Sequence, residues 1–272
     1  MSGIAVPAAA GRLGQVTFRG IVRSEWVKLR TLRSTFLTLA GAMAAMVGFG
    51  LLVTSMTAHR WSGMDEAQRA ATNPLAQSQI GFFIAQLAVG VLGVLVVSGE
   101  YSTGMIRATL SAVPDRLPVL WAKSAVFAVV TWLLMTAAAL AAFLGGQAVL
   151  RSTGVGLSLG DPGVARAVLG NGLYLTVVGL FGVGLAGVLR NAAGAIACVF
   201  GVLLVLPELV KAFPKSLSEA VWPYLPSTAG RAVATVDAGP MALSPWAGFA
   251  VFCLYAGAAL AAAAVVLKRR DA

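Results

Sequence analysis

The run Gly99-Glu-Tyr-Ser-Thr-Gly-Met-Ile-Arg-Ala-Thr-Leu-Ser-Ala-Val-Pro-Asp-Arg-Leu-Pro-Val-Leu-Trp-Ala-Lys123 interrupts an otherwise oily chain. On either side lie apolar stretches long enough to cross a bilayer, since about 20 apolar residues in a helix cover its hydrocarbon core. A polar island between two such stretches reads as a short connection at one membrane face, and its basic residues assign it to the cytoplasmic face. Outward from this island, six spans are expected at roughly 34–56, 78–98, 119–144, 167–189, 192–210 and 246–267.

The composition supports the same reading. Of 272 residues 58% are hydrophobic and 11% charged, and the mean hydropathy is +0.86. A soluble fold of this size could not hide so much apolar surface, so lipid must cover much of it. Lipid offers the backbone no hydrogen bonds, which leaves helices or a closed barrel. Continuous apolar runs select helices, because barrel strands alternate in short segments. The expected fold is an all-α polytopic membrane protein with six transmembrane helices, an N-terminal amphipathic interfacial helix, and short outer helices before the last span.

Six spans put both termini on one side, together with the connections around Arg107 and Arg190. That side holds 13 of the 20 Lys and Arg residues and the other 7, so both termini are expected in the cytoplasm. The net charge of +10 follows from this asymmetry and needs no nucleic acid. The first apolar stretch begins near Ser34 after a basic segment and is too long for a signal-peptide core, so it reads as an uncleaved span. Residues 1–16 read as a flexible cytoplasmic tail and residues 268–272 as a second one. Residues 34–267 form the transmembrane domain, with an inner loop at 99–118 and an outer segment at 208–245.

Residues 17–33 read as an interfacial helix. Phe18, Val22, Trp26 and Leu29 recur at helical spacing, while Arg19, Arg23 and Arg30 occupy another sector. Such a helix can lie on the inner membrane surface with Trp26 at the headgroup boundary. A basic flank that only orients the first span is the plainer reading.

Several apparent motifs carry no chemistry. Gly182-Val-Gly-Leu-Ala-Gly187 has the spacing of a dinucleotide fingerprint, but it lies inside the fourth span with no strand before it. Small residues there let helices approach closely. No GxxxxGK[ST] phosphate loop, HExxH or nucleophile elbow occurs. The only two cysteines, Cys198 and Cys253, fall within spans and read as small apolar side chains; a disulfide would need the fifth and sixth helices to bring them together. The single histidine, His59, sits at an outer loop, and no metal-ligand spacing is present.

The arrangement Glu100, Gly104, Leu110, Pro114, Arg116, Lys123 resembles the loop between the second and third spans of type-2 permeases of ATP-binding-cassette (ABC) exporters. Residues 24–34, Ser-Glu-Trp-Val-Lys-Leu-Arg-Thr-Leu-Arg-Ser, resemble that family's interfacial connecting helix. Tyr224-Leu-Pro-Ser227 is similar to an outer stretch of bacterial members. The resemblance implies a bacterial plasma-membrane permease that works as a homodimer or paired permease in the bilayer. ATP and Mg would bind a separate cassette ATPase, with no cofactor on this chain. It further implies that Glu100, Tyr101, Gly104, Arg107, Thr109, Pro114 and Arg116 contact the ATPase, and that Glu25, Trp26, Lys28 and Arg30 belong to the connecting helix. An ordinary polar turn is the alternative for the loop.

Substrate would then pass between two permease subunits, along faces of the first, second and fifth helices. The spans carry almost no central acids or bases, and a mid-membrane charge costs about 2.5–3.5 kcal/mol on insertion scales. Apolar or amphipathic cargo is therefore favoured over a small ion. An ion-gradient-driven transporter would place ionisable groups or broken helices near mid-membrane, where Asn171 and Glu208 are the nearest candidates. A non-transporting membrane scaffold is a further alternative, and an intramembrane enzyme fits the shortage of His, Asp and Glu least.

Overall fold

The structure, a computed structural model, describes residues 17–102, 104, 117–237, 239 and 241–269. Among them six helices are long and apolar enough to cross a membrane, in the places the apolar runs indicate. Arg107, Thr109, Pro114 and Arg116 lie outside the described residues, as does most of the inner loop.

Helix α1 (Phe18–Thr31) starts where the Thr17 side chain accepts the Gly20 N–H at 3.3 Å. It ends at Leu32, whose extended backbone (ψ 106°) makes the elbow into α2 (Arg33–Arg60). The face α1 turns to the bundle is not the one that carries Phe18 and Trp26. Ile21 and Glu25 (4% exposed) are buried, whereas Phe18 (54%) and Trp26 (47%) point away from protein. The physical reason is that lipid solvates an apolar side chain as well as a protein interior does. Apolar periodicity on a rim helix therefore marks the lipid side as readily as the packed side.

Beyond α2, a capping box between Asp65 and Gln68 starts α3 (Glu66–Ala70), and Asn73 with Pro74 starts α4 (Pro74–Ser78). Helix α5 (Phe82–Ser102) begins later than the expected 78, after a turn at 79–81 in which the Gln79 side-chain amide donates to the Ala139 carbonyl at 2.9 Å. Helix α6 (Leu117–Leu150) has 34 residues, about 50 Å at 1.5 Å each, and so outruns the hydrocarbon core. Its far end has polar support: the Gln147 amide donates to the Pro74 carbonyl and its oxygen accepts the Leu157 N–H.

Helix α7 (Val164–Leu189) is the centre of the bundle, packed by α5, α6 and α12. The glycine-rich motif expected to serve helix contact does so. A Cβ on Gly184 would meet Ala259 at 2.7 Å, and one on Gly182 would meet the Gly90 carbonyl at 2.8 Å. Asn171, also on α7, donates to Gln79 Oε1 at 3.2 Å and to the Ala167 carbonyl at 3.3 Å, so its amide has partners within the bundle.

The fifth span is α8 (Ala192–Phe200), a π-helical turn (Gly201–Val205) and α9 (Leu206–Lys211). The expected interruption at Pro207 and Glu208 is displaced one turn earlier. Pro207 has no N–H and its ring would strike the carbonyl four residues before it, so the preceding turn widens. The Leu206 N–H accordingly reaches back to the Gly201 carbonyl.

Short helices then precede the last span: α10 (Lys215–Val221), a 3₁₀ turn (Trp222–Tyr224), α11 (Pro226–Arg231) and another 3₁₀ turn (Ala232–Ala234). Helix α12 (Pro245–Arg269) completes the bundle. Both thiols, Cys198 and Cys253, are free.

Candidate functional site

Four charges from three helices converge at the end of the bundle that carries α1. Glu25 and Lys28 come from α1, Glu100 from the last turns of α5, and Lys123 from the early turns of α6. Lys123 Nζ donates to Glu25 Oε2 at 2.6 Å and to Glu100 Oε1 at 2.9 Å. Lys28 Nζ donates to Glu25 Oε1 at 2.8 Å and to the same Glu100 Oε1 at 2.9 Å. Each lysine therefore bridges both carboxylates, and the two pairs close a ring. A small apolar seam of Ile21, Val119 and Ala122 lies between α1 and α6.

Helical spacing explains the geometry. Residues 21, 25 and 28 fall on one stripe of α1, at steps of four and three. The apolar end of that stripe meets α6 at Val119 and Ala122, and the charged end reaches Lys123, one residue on. Glu100 (6% exposed) and Lys123 (6% exposed) are taken out of water and of lipid together. Burial of such groups is tolerated because they neutralise one another through short charge-assisted bonds. Burial also acts on the partly buried Lys28, lowering its pKa. The hydrogen bonds and charges of Glu25 and Glu100 more than offset this, and hold it above the ordinary lysine value.

The cluster opens on a cavity of about 420 Å³, whose apolar wall includes Leu29, Leu92, Leu95 and Val96 and whose polar wall includes Thr35 and Thr38. This pocket lies between the α1–α2 elbow and α5. It joins a charged floor to a largely hydrocarbon wall, a combination suited to an amphipathic molecule.

The other expected site residues are distributed around the cluster. The Tyr101 ring carries the Arg190 guanidinium 5.3 Å from its centroid, which ties the end of α5 to the turn between α7 and α8. Arg190 has left-handed backbone (φ 52°), and the next residue, Asn191, caps α8 by accepting the Gly194 N–H at 2.8 Å. Gly104 is exposed, with φ +69° and open space around its Cα. Its N–H bonds to the Tyr101 carbonyl at 3.3 Å, so a glycine suits it as the residue that turns the chain out of α5. Trp26 is exposed and Arg30 lies in the last turn of α1. In the sequence Glu25 and Lys28 belong to the connecting helix, Glu100 to the loop and Lys123 to the end of its motif; only the fold unites them.

Residues 21–207 match the family described as ABC-2 family transporter protein. The chain belongs to this family. Comparison with curated proteins yields no match. The ABC-2 match starts at Ile21 and ends at Pro207, so it takes in every charge of the cluster and the α1–α6 seam. The outer segment and the last span lie beyond it. As an ABC-2 family member the chain is a multi-pass permease-type protein, and its fold of six apolar helices agrees with that.

Proposed function

We propose that this ABC-2 protein is the membrane-spanning subunit of an ATP-driven exporter in a bacterial plasma membrane, with both termini in the cytoplasm. A separate cassette ATPase hydrolyses ATP with Mg, and two copies of the permease form the path for an apolar or amphipathic substrate. The observation that carries the reading is the four-charge ring. It joins the interfacial helix α1 to the inner ends of α5 and α6, the two helices that flank the loop resembling the ATPase contact. A push on that loop from a partner would move α5, α6 and α1 together, because shearing any one of them breaks buried ion pairs.

In this reading Tyr101, Gly104, Arg107, Thr109, Pro114 and Arg116 present the loop to the ATPase, while Glu100 acts one step behind it, holding the loop's root through Lys123 and Lys28. The mixed cavity beside the ring is the entry for an amphipathic molecule from the inner leaflet. The test is co-expression with a cassette ATPase and purification of the assembly. The complex should hydrolyse ATP and the isolated chain should not. Specific hydrolysis by the isolated chain, or a permease that transports with no ATPase bound, would overturn the proposal.

A further inference from the structure

At the end of the bundle away from α1, a cavity of about 430 Å³ opens between α5, the π-helical turn and α11. Phe83, Leu203, Leu204 and Pro207 line it, together with buried Gln86, whose side-chain oxygen accepts the Tyr174 hydroxyl at 2.8 Å. Arg231, the last residue of α11, borders this cavity and a smaller one of about 110 Å³ on its other side. Its guanidinium stands 4.7 Å from the Phe82 ring centroid and 5.0 Å from that of Phe83. Among the described residues it makes no ion pair, and its side chain donates no hydrogen bond.

A guanidinium carries five donors in a fixed fork. Aromatic faces satisfy its charge in part but accept none of those hydrogen bonds. Burial lowers the pKa of Arg231, yet a guanidinium stays charged. The other charged groups of the cavity have partners: Lys211 pairs with Glu208 at 2.7 Å, and exposed Asp237 accepts the Gly239 N–H at 3.0 Å. Arg231 is thus, among the described residues of this lining, a half-buried cation with no carboxylate partner, set beside the chamber's apolar wall of Phe83, Leu203, Leu204 and Pro207. The Ser227 and Thr228 hydroxyls lie on the same wall. We propose that this cavity binds an anionic amphiphile, with a carboxylate or phosphate head on Arg231 and the apolar body along Phe83, Leu203 and Leu204. The site deepens the amphipathic-cargo reading and rests on it for its use in transport.

The test measures equilibrium binding of radiolabelled dodecyl phosphate to the isolated chain in neutral maltoside detergent. Dodecyltrimethylammonium serves as competitor of opposite charge. Binding should saturate and resist the cationic competitor. R231Q should weaken it at least tenfold, whereas R231K, which keeps the charge, should weaken it only a few-fold. Where R231Q fails to fold, L204W decides: it fills the chamber, leaves Arg231 intact, and should also lose binding tenfold. Non-saturable binding, equal displacement by the cation, or unchanged affinity in folded R231Q or L204W would overturn the site. Mass spectrometry of protein taken from mixed phosphatidylglycerol and phosphatidylcholine nanodiscs separates the sources. Retained phosphatidylglycerol that R231Q loses identifies a lipid headgroup, and dodecyl phosphate binding without retained lipid identifies a cargo site. No ATPase takes part, so failure here refutes the site and leaves ATP-driven transport standing.

Discussion

Replacing Lys123 with methionine tests the charge ring most directly. Lys123 is 6% exposed and donates to Glu25 at 2.6 Å and Glu100 at 2.9 Å. Methionine keeps the stem's length and packing but removes the charge. Glu25 and Glu100 would then face each other with Lys28 as the remaining cation of the ring, whose charge would fall from zero to minus one. Removing one partner of a buried ion pair costs about 3–5 kcal/mol. For a chain above 150 residues each kcal/mol lowers the melting temperature by about 2–4 °C, so K123M should melt on the order of 10 °C lower. The matched experiment removes the whole ring as E25L/K28M/E100L/K123M. A well-packed apolar replacement is close to neutral, so this quadruple variant should regain most of the loss. Thermal unfolding in detergent, followed by size-exclusion recovery, gives the comparison. The same two proteins should both lose ATPase-driven transport, the first by instability and the second by a missing linkage. If K123M unfolds at the wild-type temperature, the ring carries no strain-bearing contact and the proposed linkage fails.

Further outcomes follow from other parts of the molecule. The raised Lys28 pKa contributes stability that is complete below the ordinary lysine value of 10.5 and is lost as pH rises through the folded value; wild-type melting should fall across that alkaline range more steeply than that of K28M. Gly184→Val places a methyl against Ala259, already 2.7 Å from a Cβ there, and should cost about 1–3 kcal/mol or more by overpacking, read as lost monodisperse protein. Gly104→Ala imposes a side chain at φ +69° and should destabilise the root of the loop by about 1 kcal/mol, whereas Arg107→Glu should leave folding intact and reduce ATPase-driven export; equal, wild-type export by both would make the loop a mere connector. Cysteines introduced at positions 61 and 219 should react with an impermeant reagent outside intact cells and one at 107 should not. Labelling at 107 from outside would reverse the proposed orientation.

The spans were legible because hydrocarbon thickness and helical rise fix a length that few other structures share. Their partners were less so. The apolar stripe Phe18, Val22, Trp26, Leu29 suggested a face on the membrane surface and gave no hint that the helix docks through Ile21 and Glu25. In water apolar periodicity points to the core, but a rim helix has two apolar neighbours and its pattern does not choose between them. Charges do choose, because lipid solvates none of them. The chain holds only ten acidic residues, and Glu25 and Glu100 sit on the side expected to be positive, where an acid adds nothing to orientation. An acid there is explained only by a basic partner. Lys28 and Lys123 are only two of the many basic residues on that side, separated from Glu100 by 72 and 23 residues, and position in the chain does not single them out. The π-turn was half legible, since Pro207 announced a disturbance but not that its carbonyl clash falls on the turn before it. Arg231 gave no sign at all. Basic residues in outer loops are ordinary, and what sets this one apart is that two phenylalanines from a helix almost 150 residues earlier hold it at the edge of a chamber. Such a juxtaposition is a property of tertiary structure, so functional groups created by it emerge only once the bundle is assembled.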